Sequence, residues 1–117
     1  MTTKPLALGG STVRSWSARA TPQGAEAYVA YFNGTLAPQL AELPGHRGAL
    51  VLTRADAGTV RITVLTFWDS MEAVRGFAGP EPDRAVVEDE ARRVLLSFDR
   101  AVQHHTIAVD TITDGNG

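Results

Sequence analysis

Few side chains in this sequence could do chemistry, and those few are scattered. Histidine occurs at 46, 104 and 105. Neighbouring residues of an extended segment point to opposite faces, so His104 and His105 do not share a metal ion. One of the pair could supply an imidazole titrating at roughly pH 6.5, a base or hydrogen-bond donor at the end of a pocket; the alternative is a hydrogen-bonded core residue. Trp68 closes a β-rich run immediately before Asp69-Ser70, a helix-capping pair. There an indole can line a cavity between sheet and helix, or simply pack. Glu88-Asp89-Glu90 before Arg92-Arg93 resembles a catalytic carboxylate pair, but Glu88 to Arg92 and Asp89 to Arg93 are i,i+4 pairs, the pattern of a solvated helix face. The absence of cysteine removes thiolate zinc sites, iron–sulfur clusters and thiol nucleophiles together. Walker lysine, dinucleotide fingerprint and Gly-x-Ser-x-Gly elbow are missing too.

Any such residues must be positioned by a regular framework, and the periodicities supply one. Val13 to Ala20 alternates with period two, Trp16, Ala18 and Ala20 on one side and Val13, Ser15, Ser17 and Arg19 on the other, which predicts a strand. Thr21-Pro22 then caps and opens an amphipathic helix carrying Ala25, Tyr28, Val29, Phe32, Leu36 and Leu40 inward. Asn33-Gly34 and Pro38 predict a kink in it, and Leu43-Pro44-Gly45 its end. Gly48 to Arg54 and Thr59 to Trp68 form a hairpin across Asp56-Ala57-Gly58. Both faces of the second hairpin strand are apolar, which predicts a central position covered on both sides.

A short helix through Met71, Val74 and Phe77 follows and stops at Gly79-Pro80; another, from Pro82, is expected to carry Val86, Val87, Ala91, Val94, Leu95 and Phe98 inward. Val102 to Asp110 reads as the last strand. The order βαββααβ is the split βαβ pattern of ferredoxin-like α+β folds, with one four-stranded antiparallel sheet. Helices on one face leave the other, with Leu65, Phe67 and Trp16, in need of a cover, which a second subunit's sheet would provide. Phe32 and Phe77, on apolar helix stripes, are expected to close a pocket over Trp68.

At 117 residues the chain is one domain: a domain over 13–113, with disordered tails at 1–12 and 114–117. Hydrophobic residues at 44%, charged residues at 21% and a formal charge of -2 describe a soluble globule with no basic footprint, so neither nucleic acid nor membrane is an expected partner. The short N-terminal apolar run is no secretory segment, and the location read from it is cytoplasmic.

Four stretches together carry a family likeness: Leu43-Pro-Gly45, the run Leu65-Thr-Phe-Trp-Asp-Ser-Met-Glu-Ala-Val-Arg-Gly-Phe-Ala-Gly79, Ala85-Val-Val87 and Val102-Gln-His104. In this order and spacing they resemble the antibiotic biosynthesis monooxygenase family, over about Val13 to Val109. The resemblance implies a dimeric α+β barrel, two sheets face to face, with a pocket between each sheet and its helices. It also implies a cofactor-independent monooxygenase acting on a small aromatic or polyketide-type molecule, without metal or flavin. The alternatives are a non-catalytic ligand-binding barrel and a non-oxidative cyclase or isomerase on the same fold. Trp68 matches the family's pocket tryptophan and His104 its last-strand histidine, here assigned as catalytic; Ser17, Phe32 and Phe77 are assigned to substrate binding. Haem-degrading members use an Asn on the first strand and a His on the helix before the last; this sequence has Ser15 and Ser17 in the one and no His from Ala85 to Phe98 in the other.

Overall fold

The computed structural model describes residues 8–112. Strands β1 (Thr12–Ala20), β2 (His46–Asp56) and β3 (Thr59–Trp68) form the body of an antiparallel sheet in the order β2-β3-β1, and the chain returns to the free edge of β1 through two short strands, β4 (Ser97–Phe98) and β5 (Gln103–Thr106). Both are antiparallel to β1, with Ala18 opposite Phe98 and Ser15 opposite Gln103, so they amount to one fourth strand broken around Asp99–Val102. The expected four-stranded, ferredoxin-like α+β order is therefore present, its last strand interrupted.

The hairpin turn is Ala57-Gly58, both at positive φ (53° and 86°), the backbone that joins two right-twisted strands in two residues. The first helical region starts as read: Thr21 Oγ1 accepts from the Gly24 amide at 2.9 Å, and Pro22 opens α1 (Pro22–Tyr31). The expected kink is a π turn over Phe32–Leu36, where the Ala37 amide reaches back to the Phe32 carbonyl, followed by α2 (Ala37–Ala41). Pro38 has no amide to offer Gly34, and the wider turn absorbs that loss. Gly45, at φ 80°, ends the region against α3 (Met71–Ala78), where a Cβ would meet the Ala73 methyl at 2.5 Å.

The second helix of the last pair is much shorter than its periodicity predicted. Helix α4 covers only Asp89–Val94. The reason is competition for backbone: the Ala85 amide donates to Arg100, the Val102 amide to Asp83 and the Leu96 amide to Arg19, so the chain on both sides is committed to sheet-like pairing. Phe98 is consequently a strand residue, and Val86 is exposed. Arg92 turns its Nε to the Val87 carbonyl and lies over the Phe98 ring instead of pairing with Glu88, which stands at the N-cap position without a side-chain capping bond.

Two further expectations change. Leu8 to Thr12, read as tail, is packed: Leu8 is buried, its amide donates to Asp110, and Thr12 begins β1. The remainder of both expected tails lies outside the described residues. Trp16, grouped with the face needing a cover, instead stands opposite Val64 on the helix-covered side. Among the described residues no helix is long and apolar enough to cross a membrane.

Candidate functional site

Register assigns every strand residue to one of two surfaces. Arg14, Trp16, Val64, Thr66 and Trp68 face the helices, with Arg14 directly opposite Thr66 and Trp16 opposite Val64. His104 stands opposite Arg14 and shares this surface, whereas His105 stands opposite Val13 on the other. Between the surface and the helices lies a small cavity, about 60 Å³, walled mainly by Trp16, Tyr28, Phe32, Phe77 and Val87. Arg14 and Thr66 supply polar groups to it, and Glu88 stands at its rim.

Phe32 and Phe77 thus line a cavity under the helices, as the sequence predicts. Trp68 stands behind its wall: fully buried, with its ring stacked on Phe77 at 5.4 Å between centroids and 23° between planes. Its indole N–H donates to Thr66 Oγ1 at 2.9 Å. His46 meets the other side of the indole edge-on at 4.8 Å. Ser17 is on the opposite surface, where its hydroxyl pairs with Thr63 at 3.2 Å, so it does not reach this cavity.

Arg14 was not singled out in the sequence, and it is the residue on which the site turns. It is only 5% exposed. One guanidinium nitrogen, Nη1, donates to the Pro82 carbonyl and lies 3.0 Å from His104 Nε2; Nη2 donates to the Arg84 carbonyl at 2.8 Å. The guanidinium carbon is 5.6 Å from the centre of the Phe77 ring, a cation–π arrangement. His104 completes the chain with Nδ1 3.3 Å from Asp83. Because a guanidinium only donates, Nε2 must accept, and the remaining proton sits on Nδ1 toward Asp83. Burial, and then the neighbouring Arg14 charge, push the His104 pKa down, which agrees with a neutral ring. Burial likewise lowers that of Arg14, partly offset by Asp83.

The signal that could have found Arg14 is parity. It shares the even positions of β1 with Thr12, Trp16, Ala18 and Ala20, the one ionised group on a mainly apolar face. Trp16 is fixed too, its indole N–H donating to the Asp99 carbonyl at 2.8 Å in the break of the fourth strand. Among the described residues no group of three or more His, Asp or Glu could hold a metal ion.

No protein-family model and no curated protein matches the sequence. Among solved structures, the chain is similar to a haem-degrading protein of Mycobacterium tuberculosis, with a TM-score of 0.55 and 20% identity over 88% of this chain and 98% of that one. It also matches a candidate antibiotic biosynthesis monooxygenase of Chloroflexus aurantiacus, with a TM-score of 0.49 and 24% identity over 85% and 93% of the two chains. The first likeness supports the fold, a ferredoxin-like α+β domain, which in this chain has its helices on one sheet face.

Proposed function

We propose that the protein is a cofactor-independent oxygenase of the antibiotic biosynthesis monooxygenase type, acting on a small, flat aromatic or polyketide-like molecule held between sheet and helices. The observation that carries this reading is the aromatic cavity with a buried guanidinium on its sheet-side wall. In such a reaction an activated methylene becomes a carbonyl: one oxygen atom of dioxygen enters the substrate and the other leaves as water with the two methylene hydrogens. No external reductant enters that balance. The protein's part is to hold the ring, exclude water and favour the ionised substrate. Trp16, Phe32 and Phe77 form the ring-binding walls, and Trp68 holds Phe77 and Thr66 in place. His104, whose two nitrogens are engaged by Arg14 and Asp83, acts through Arg14. A ligand larger than the cavity must displace its irregular wall at Val86 to Glu88, which lies outside the helices.

Haem suits this cavity poorly as a substrate. None of the three histidines lines it, and the buried Tyr28 phenol is pushed well above its ordinary pKa, away from the phenolate that could ligate iron. Haemin with reductant and dioxygen is expected to keep its Soret band.

The functional unit in this reading is a homodimer joined through the open sheet face. Leu50 and Leu52 are 47% and 48% exposed there, beside Leu65 and Phe67 on the neighbouring strand. An apolar strip of this kind on a small domain is characteristic of an interface.

Oxygen uptake with anthrone-type and phenolic candidates, without added metal or flavin, tests the oxygenase. Protein-dependent uptake matched by carbonyl product is expected. Saturable binding with no uptake would replace it by a ligand-binding barrel, and product without uptake by a cyclase or isomerase.

A further inference from the structure

A buried guanidinium facing an apolar cavity is expensive unless something answers its charge. Among the described residues nothing does so directly. No carboxylate of those residues lies within ion-pairing distance of Arg14, and its partners are two carbonyls and a neutral imidazole. These take three of the five N–H groups a guanidinium carries, so two remain to be donated. Across the strand pair, Thr66 is equally committed. Its oxygen accepts from the Trp68 indole, which leaves the hydroxyl proton free to be given. Arg14 and Thr66 are register partners, both line the cavity and both are buried. Two donors and a fixed positive charge therefore converge on one end of an aromatic pocket.

We propose that this end is a binding site for an anionic oxygen, and that the ligand is an acid with a flat apolar body. Arg14 and Thr66 grip the oxygen. Asp83 and His104 are positioning residues for Arg14, and Trp68 sets the direction of the Thr66 hydroxyl. The inference builds on the oxygenase reading, in which the anion is the ionised enol or phenol that reacts with dioxygen, but the grip itself requires no turnover. A carboxylate offers the same chemistry, and its two oxygens match the fork of the guanidinium. Glu88, at the rim, repels a second negative charge and favours ligands with one.

Matched pairs of probes separate charge from shape. The titrations are 2-naphthoate against 2-naphthamide, and an acidic cyclic 1,3-dione bearing an aryl group against its neutral enol methyl ether. Both are followed by calorimetry and by quenching of the tryptophan fluorescence of Trp16 and Trp68. Anions are expected to bind at least about tenfold more tightly than their neutral twins, a difference of about 1.4 kcal/mol. The preference is expected to vanish in Arg14→Met, to fall several-fold in Thr66→Val, and to fall in part in His104→Gln, with affinity for the neutral twins unchanged. If Arg14→Met does not fold, Arg14→Lys keeps the charge but loses the fork, and should lose the carboxylate preference in greater measure than the enolate preference. Equal binding of the twins, no binding of either at millimolar concentration, or a preference that survives loss of Arg14 would each overturn the proposal. Anion-selective binding without oxygen uptake would remove the oxygenase reading and leave this site standing; uptake without selectivity would do the reverse.

Discussion

Strands β1 and β3 contribute alternate residues to two surfaces with different fates. On the helix side, Trp68, Ile62 and Ala20 are fully buried and Arg14 nearly so. On the other side Val13, Leu65 and Phe67 remain half-exposed, and the neighbouring Leu50 and Leu52 more so. Hydrophobicity does not separate them, since both are rich in apolar side chains. What separates them is polar commitment. The covered surface contains hydrogen-bonded chains that end in a cavity, Asp83 to His104 to Arg14 and Trp68 to Thr66. The open surface pairs Ser17 with Thr63 and Arg19 with Asp56 at 2.9 Å. In the proposed reading, one surface is arranged around a ligand and the other is a surface to be covered.

The largest expected effect tests the covered side. Trp68→Ala removes a fully buried indole together with the group that holds Phe77 and Thr66, and should cost roughly 3–5 kcal/mol in denaturant unfolding. A loss below about 1 kcal/mol would mean that the indole packs loosely and that the two surfaces are not so different.

Leu65→Glu probes the open side. In a dimer joined by this face it buries an unpaired carboxylate, costing several kcal/mol of association. Sedimentation should show a dimer for the parent protein at micromolar concentration and a folded monomer for the variant. A monomeric parent would make the open surface an ordinary exposed one.

A smaller effect sharpens the contrast at the level of binding. Phe77→Ala should weaken aromatic ligands by about tenfold, or 1.4 kcal/mol, whereas Ser17→Ala on the open face should leave affinity within about twofold. Reversed sensitivities would move the ligand to the other surface.

The smallest effect is a pH dependence confined to the covered side. Burial holds His104 and His46 below their ordinary value, with the Arg14 charge adding to the effect on His104. The unfolded chain then binds protons more readily, so the stabilisation is complete above about pH 6.5 and is lost as pH falls through the folded-state values. Denaturant midpoints at pH 7 and pH 5 should therefore differ less in His104→Gln and His46→Gln than in the parent. A slope identical in all three would show that neither histidine is linked to folding.

Much of this contrast is legible in the sequence, because a strict period of two in β1 and β3 fixes which residues share a side once the register is known. The hairpin, the caps at Thr21 and Ser70 and the break at Asn33-Gly34 follow from local chemistry in the same way. The end of the chain is less legible. Val86, Val87, Ala91, Val94, Leu95 and Phe98 fit a helical period, yet the backbone around them pairs with β1 and with residues 100–102, a nonlocal competition that periodicity does not register. The site fared similarly. Phe32 and Phe77 were found from apolar stripes, but Arg14 acquires its meaning from Pro82, Arg84 and His104, 68 to 90 residues away in the chain. Ser17, at an odd position of β1, stands on the other side of the sheet from this cavity.

The π turn at Phe32–Leu36 bears on how this helix can change length. It holds one more residue than a regular turn, and Phe32 at its start and Leu40 after it both reach the cavity wall. Deleting a single residue at Asn33 or Gly34 would close the wide turn into an ordinary one and leave the helix on either side with its faces unchanged. Leu40 would keep its place in the core, while Pro38 would again face a carbonyl it has no amide to satisfy. A gap of one residue there thus preserves the faces of the helix but asks for another residue at Pro38, whereas gaps in the hairpin tip at Ala57-Gly58 alter only a loop, so relatives of this chain aligned with a single-residue deletion in the helix should also differ at Pro38.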